Sequence, residues 1–352
     1  MTTVLVNGAT RPLGRRVVDL VRSDPSVRDV IAVESGSRGE PAAGLRVLTA
    51  VELAGDPWRG LDGPLDVVIL APLEGPDRDG STMGGVDLGI ATELLDSLRA
   101  VDVRRLVLLS SAMVYGAWPD NPVPLTEEAV LRPNPGCRYA ADKAELERLG
   151  AEWSRAGNSI PPPEVVVLRP VVTVFADPGA VDWMERSLWH TPTARPGDFD
   201  PKAQFLHLDD LAHAIEHARR FGPTGVLNVA PDGWMTTERQ VELTGRGALL
   251  RVPAAIARWV AALRWRWGGT STPPDIVAYT LHPWVVANDR LRGAGWEPSY
   301  SNDEAFIVAN REGWWASLNA RRRQDVALGV LVGGMAAAVG GVVSLVRALR
   351  HR

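Results

Sequence analysis

The sequence predicts an α/β protein: a doubly wound parallel sheet, a smaller C-terminal lobe and a C-terminal hydrophobic helix. Three observations carry this expectation. Runs that are apolar on both faces (TVLV, DVVIL, RLVLL) alternate with helical periodicity through residues 1–110, as buried parallel strands joined by crossover helices require. The first run ends at Asn7-Gly8 in a tight turn that opens a helix. The chain has 352 residues, 45% hydrophobic and 23% charged, which is an ordinary globular mix with room for two packed lobes.

The elements follow in order. Thr3–Val6 reads as a buried strand, and Leu13, Val17, Leu20 and Val21 then recur at helical spacing. Val30–Val33 is a second strand and Asp66–Leu70 a third; Val86–Leu98 has helical periodicity, and Arg105–Leu109 is a fourth strand running into Ser110-Ser111. Arg138–Ala156 is a long helix with alternating Glu and Lys or Arg, and Glu164–Leu168 is a strand after the prolines at 161–163. Beyond residue 170 the chain is less regular and richer in Pro, Gly and Trp, returning to the sheet near Val226–Val229. The expected division is 1–170 for the sheet domain and 171–320 for a substrate lobe interleaved with the end of the sheet. No internal repeat is evident.

Charge and cysteine content exclude several function classes. A net charge of −4 argues against a nucleic-acid partner, which needs a basic surplus. Cys137, the one cysteine, makes neither an internal disulfide nor a thiolate metal site and suits a reducing compartment. The six histidines lack metal spacing, so no metal is expected and His207 reads as structural. Only Lys143 and Lys202 are lysine among 38 basic residues, which directs attention to chemistry that wants a compact, titratable ammonium.

Two constellations carry chemistry. The turn Gly8-Ala9-Thr10-Arg11-Pro12-Leu13-Gly14 follows the first strand and opens a helix; free amides and the helix dipole there suit a pyrophosphate. Gly8 permits the turn and Gly14 the close approach of helix to strand. About 20 residues on, Glu34 ends the second strand, placed to accept from a ribose hydroxyl. The second constellation is Tyr139-Ala-Ala-Asp-Lys143, whose phenol and ammonium share a helix face at i, i+4. A neighbouring ammonium favours the phenolate and makes a usable acid or base. With four tyrosines and two lysines in the chain, such a pair is rare by chance. Ser111, at the carboxyl end of the fourth strand, is placed to hydrogen-bond a substrate oxygen beside that phenol; Ser-Ser after a strand also reads as a cap.

These features in this order resemble the extended short-chain dehydrogenase/reductase family, the NAD-dependent epimerase/dehydratase group. The resemblance covers residues 3–315 and includes Ser111-x₃-Tyr115-Gly116, Leu168-Arg169-Pro170, Phe205-Leu-His207-Leu-Asp209-Asp210, Leu227-Asn228-Val229 and Gly295-Trp296-Glu297-Pro298. It implies a Rossmann-type sheet and NAD bound by Gly8, Thr10, Arg11, Leu13, Gly14, Glu34, Ala71, Tyr139 and Lys143. It implies that Ser111 polarises the substrate oxygen, Tyr139 moves its proton, and Lys143 holds the nicotinamide ribose. Hydride transfer at a hydroxyl or carbonyl carbon of a sugar-type or lipid-linked small molecule is the expected reaction.

Several departures qualify this. Arg11 and Pro12 stand where the family has its middle glycine; arginine could clamp a diphosphate or a 2′-phosphate, whereas Glu34 repels the latter, so NAD is favoured with NADP left open. The usual asparagine is Asp87, and Ala71-Pro72 matches only part of a family segment. Ser111-Ala112-Met113 lacks the carboxylates of the group's dehydratases, which argues against water elimination. Ala203, beside Lys202, stands where nucleotide-sugar epimerases place an arginine, and Arg195–Asp198 lies too early for the later clamp. The rival expectation, motivated by Arg11 and Asp87, is a non-catalytic NAD(P)-binding scaffold or redox-sensing module.

Val326–Val346 is 21 residues without a charge, flanked by Arg321, Arg322 and Arg323 and by Arg347, Arg350 and Arg352. As a helix it would span about 32 Å, a bilayer core. The expectation is a cytoplasmic catalytic domain tethered to the membrane; a Gly/Ala-rich helix packed on the protein or at a homodimer interface is the alternative. Trp259, Trp265 and Trp267 alternate with Arg258, Arg264 and Arg266, a pattern of lobe packing or of an interfacial surface.

Overall fold

The computed structural model describes residues 1–34, 45–53, 63–70, 88–156, 161–175, 194–196, 202–244, 250–252 and 276–310, with single positions between them. Met1–Ala309 form one compact unit and Asn310–Arg352 a second. The hydrophobic segment 326–346 lies outside the described residues, as do Ala71, Asp87, Trp265 and Trp267. Among the described residues no helix is long and apolar enough to cross a membrane.

The first unit is built on a parallel sheet of seven strands. Its strands are β1 (Thr2–Asn7), β2 (Val27–Glu34), β3 (Arg46–Thr49), β4 (Leu65–Ile69), β5 (Val103–Leu109), β6 (Glu164–Pro170) and, after three strands outside this sheet, β10 (Gly225–Val229). Their order is β3-β2-β1-β4-β5-β6-β10. Strands β1, β4 and β5 are apolar on both faces, and Val4, Leu5, Val6, Val67 and Leu108 are fully buried, because helices cover both sides. Among the described strands the short β3 pairs with β2 alone, and it has no counterpart among the predicted strands. Order reverses at β1: β2 and β3 lie on one side of it and β4, next in the chain after β3, on the other, which opens a crevice at the carboxyl ends of the strands.

The remaining strands form two small parallel pairs, β7 (Val172–Val174) with β9 (Phe205–His207) and β8 (Ala194–Pro196) with β11 (Leu250–Val252). Helix α1 (Pro12–Ser23) follows β1, α2 (Ala50–Leu53) follows β3, and α3 (Leu88–Ser97) and α4 (Arg138–Ala156) flank β5 in sequence. The buried face of α4 carries Tyr139, Lys143, Leu146, Glu147, Gly150 and Trp153. A Cβ on Gly150 would lie 2.2 Å from Leu108 Cδ1, so this glycine lets α4 press onto β5. Helix α5 (Leu208–Arg220) packs across the amino ends of the strands at its far end. There the buried Arg219 donates to Asp24 Oδ2 at 2.6 Å, Asp66 Oδ2 at 2.8 Å and Glu216 Oε2 at 2.7 Å. One guanidinium thus ties α1, β4 and α5 together at the end of the sheet opposite the crevice.

Candidate active site

At the crevice, β1 ends in Asn7 and Gly8 turns with φ +79°. The Gly8 amide donates to Val33 O at 3.0 Å and the Arg11 amide to Gly8 O at 3.3 Å, closing the turn. Arg11 is the cap of α1 with φ −79° and ψ 160°, and Pro12 takes the first helical position, where a missing N–H costs nothing. Extended backbone at Arg11 admits any side chain, which explains how arginine replaces the middle glycine of the pattern. Gly14 is different. A Cβ there would lie 2.0 Å from Gly8 O and 2.7 Å from Ala9 Cα, so only glycine lets α1 start this close to β1.

Glu34 ends β2 across the crevice and its Oε1 accepts from the Thr10 amide at 2.7 Å. Burial pushes its carboxyl above the usual range, against the opposing pull of the Thr10 amide and hydroxyl and the Arg11 charge. The structure therefore gathers Gly8, Thr10, Arg11, Gly14 and Glu34 around one turn, with Leu13 packed on the core. It also shows what spacing does not: one Glu34 oxygen is already committed to the turn.

The second constellation sits where β4 and β5 end. The Lys143 ammonium, 2% exposed, donates to Leu109 O at 2.7 Å and Leu70 O at 3.2 Å, and lies 5.7 Å from the Tyr139 ring centre. Two carbonyl partners satisfy a charge that burial would otherwise penalise. Ser111 Oγ accepts from the Met113 amide at 3.2 Å, capping the short 3-10 turn Ala112–Tyr115. Its hydroxyl proton is not used in that bond. Cap and substrate donor are thus compatible roles for one side chain.

Beneath these groups lies a buried network that sequence reasoning did not assemble. Ser110 Oγ donates to Glu147 Oε1 through a short hydrogen bond. Arg169 donates to Glu147 through Nε at 2.9 Å and Nη2 at 2.6 Å, and through Nη1 to Tyr115 Oη at 2.8 Å. Tyr115 Oη donates onward to Asn228 Oδ1 at 2.8 Å. Burial pushes the Tyr115 phenol up, against the pull of Arg169. The available signal for Glu147 was its position four residues after Lys143, on the face that carries Tyr139.

Other motif residues hold the frame. His207 Nδ1 accepts from the Asp209 amide at 3.2 Å and caps α5, and its ring stacks on Tyr300 at 3.9 Å. Burial lowers its pKa, against the pull of Asp209 and Asp210. Asp209 pairs with Arg16 at 2.6 Å, joining α5 to α1, while Asp210 accepts from the Ser299 and Tyr300 amides at 2.9 and 3.0 Å. Ala203 pairs with Met235 through two backbone hydrogen bonds of 3.0 and 2.8 Å, and the Lys202 ammonium lies 4.6 Å from the Trp234 ring centre. Among the described residues there is no cluster of three or more His, Cys, Asp or Glu able to hold a metal. Of the tryptophans in the Arg/Trp segment, only Trp259 is described, and it is exposed.

A parallel sheet with a glycine turn at its switch point and a Tyr-Lys pair at the neighbouring strand ends defines an α/β protein of the Rossmann type. The profile of the NAD dependent epimerase/dehydratase family matches residues 4–230, and the chain belongs to that family. An uncharacterized protein of Mycobacterium tuberculosis is 26% identical over 321 residues, covering 86% of this chain and 82% of the relative. Another from Sinorhizobium fredii is 31% identical over 259 residues, covering 70% and 62%. Among solved structures, Thermus thermophilus UDP-glucose 4-epimerase in complex with NAD superposes with a TM-score of 0.61 at 20% identity, covering 87% of this chain and 97% of the other. The Bacillus anthracis dTDP-glucose 4,6-dehydratase in complex with NAD gives 0.59 at 17%, covering 90% and 97%. A short-chain dehydrogenase/reductase superfamily protein from Agrobacterium tumefaciens with bound NAD gives 0.61 at 21%, covering 93% and 99%. At these identities the structures share the fold.

Proposed function

We propose that the chain is an NAD-dependent oxidoreductase or epimerase acting at a hydroxyl or carbonyl carbon through Ser111, Tyr139 and Lys143. The observation that carries this is the Lys143 ammonium, buried beside Tyr139 and held by the carbonyls of Leu70 and Leu109. A surface i, i+4 pair would have no reason to be buried at two strand ends.

The turn fits a dinucleotide: Gly14 lets α1 start against the Gly8 turn, where a Cβ would clash with backbone, and the amides at the start of α1 so placed offer an anion site. Gly8, Thr10, Arg11, Leu13, Gly14, Glu34 and Ala71 would hold the cofactor, which when bound supplies a hydride acceptor or donor at its nicotinamide ring. The protein's own part is proton handling. Ser111 donates a hydrogen bond to the substrate oxygen. Tyr139 Oη takes the hydroxyl proton as the carbonyl forms and returns it in the reverse direction. Lys143 stays cationic between its two carbonyls and favours the phenolate that this transfer needs.

For the substrate, the sugar-nucleotide enzymes among the structural neighbours suggest a sugar-type molecule. Ala203 and the engaged Lys202 argue against a diphosphate clamp, which favours a lipid-linked or otherwise apolar substrate. Ala112 and Met113 are buried and bring no carboxylate, so epimerisation or net dehydrogenation is favoured over dehydration. The segment 326–346 supports membrane tethering from its sequence alone. A substrate screen followed by nicotinamide absorbance tests the proposal. Stoichiometric NADH marks a dehydrogenase, and turnover without net absorbance change marks an epimerase. Tyr139→Phe should abolish turnover with NAD⁺ affinity nearly intact. Full activity in that variant would remove Tyr139 from the chemistry.

A further inference from the structure

We propose that Glu147 is a positioning residue for the Tyr139–Lys143 pair, acting through Ser110; this rests on the proton-transfer role proposed above. Tyr139, Lys143 and Glu147 stand four residues apart on the buried face of α4. Two consecutive residues at the end of β5 meet this face one turn apart. Leu109 accepts from Lys143 Nζ at 2.7 Å, and Ser110 donates to Glu147 through the short bond. Two stitches about one helical pitch apart, roughly 5 Å, fix both the height and the rotation of α4 against β5. Tyr139 projects from that helix and Ser111 follows Ser110 directly, so the same stitches set the distance between the two groups that share the substrate oxygen.

Glu147 can serve this way because it cannot turn aside. Arg169 on β6 holds both its oxygens, Tyr115 holds Arg169, and Asn228 on β10 holds Tyr115. Ser110, Tyr115, Glu147, Arg169 and Asn228 are all buried. Stability alone does not call for this arrangement, since a buried ion pair is often replaceable by apolar side chains at no loss. A directional network gives what apolar packing does not, a single register of helix against strand.

The chain's four tyrosines, Tyr115, Tyr139, Tyr279 and Tyr300, allow a test that needs no substrate. Full-length protein labelled with ring-carbon-13 tyrosine is titrated by NMR, with Tyr139→Phe assigning the resonance. In Ser110→Ala, which leaves the Glu147–Arg169 pair intact, the Tyr139 titration midpoint should rise by about half a pH unit or more, with the Tyr279 and Tyr300 resonances in place. The paired change Glu147→Gln with Arg169→Met removes both charges together, so neither is stranded, and should move the midpoint further. An unmoved midpoint in Ser110→Ala overturns the proposal, and so does failure of that variant to fold, which would assign the bond to stability alone. A wild-type Tyr139 that titrates no lower than a free phenol would instead overturn the proton-transfer role itself. That outcome is distinct from a low wild-type midpoint that the variants leave in place.

Discussion

Replacing Gly14 by alanine perturbs the turn and little else. The new Cβ would sit 2.0 Å from Gly8 O, 2.7 Å from Ala9 Cα and 2.8 Å from Gly8 C. All three are backbone atoms, so no side-chain rotation relieves the contact. A carbon–oxygen approach closer than about 3.3 Å is rare, so the first turn of α1 must retreat by roughly 1.3 Å or the turn must open by as much. Overpacking of this kind costs about 1–3 kcal/mol, partly offset by alanine's advantage over glycine inside a helix, about 1 kcal/mol. A net loss of up to about 2 kcal/mol in urea unfolding is expected. Cofactor affinity should suffer more, because the anion-facing amides move with the helix: about tenfold or greater weakening for NAD⁺ by calorimetry, a cost of about 1.4 kcal/mol. Gly150→Ala is the control, since its Cβ would meet Leu108 Cδ1 at 2.2 Å, a side-chain end far from the turn. It should lower stability and leave NAD⁺ affinity alone. Equal NAD⁺ affinity in wild type and Gly14→Ala would refute the assignment of this turn to the cofactor.

Three further outcomes follow from the charged groups. Glu34 has its carboxyl raised by burial and accepts best when ionised, so NAD⁺ affinity should fall as pH drops through that raised value, beginning above the usual glutamate range; Glu34→Gln should weaken binding and flatten the profile in pH-dependent calorimetry. Burial opposes ionisation of Asp24, but the Ser26 amide and hydroxyl and Arg219 outweigh it and hold the carboxyl at about 2, below its reference value of 3.8. Its contribution to stability is therefore present above pH 3.8 and lost as pH falls towards 2, and Asp24→Asn should remove that acid limb from thermal unfolding curves. Arg219→Met takes the shared partner from Asp24, Asp66 and Glu216, leaving Asp66 to Arg104 and Asp24 to Arg220, and should cost at most about 3–5 kcal/mol in urea unfolding.

Much of the sheet was legible because its central strands are buried on both faces, which leaves a continuous apolar run in the sequence. Helix α4 was legible with the bounds Arg138–Ala156 because a proline-rich stretch ends the segment after it and charged residues alternate along it. Strand β3 escaped notice: four residues, Arg46–Thr49, at the sheet edge with one neighbour make no apolar run to see. Gly8 and Gly14 were readable from their place after β1. Glu147 was not, because one glutamate on a helix rich in Glu and Arg reads as a solvated face. Its burial depends on β5 and β6 ending where α4 crosses them, a tertiary fact. Arg169 and Asn228 were visible as motif letters, but their meeting through Tyr115 requires β6 and β10 to be neighbours.

The most direct test of the account is calorimetric titration of the full-length chain with NAD⁺ and, separately, NADP⁺. Binding of NAD⁺ at one site per chain, at least about tenfold tighter than NADP⁺ and weakened by Gly14→Ala, is the predicted result. Binding of neither nucleotide would contradict it, leaving a family fold that holds no cofactor and a Tyr139–Lys143 pair with no hydride partner.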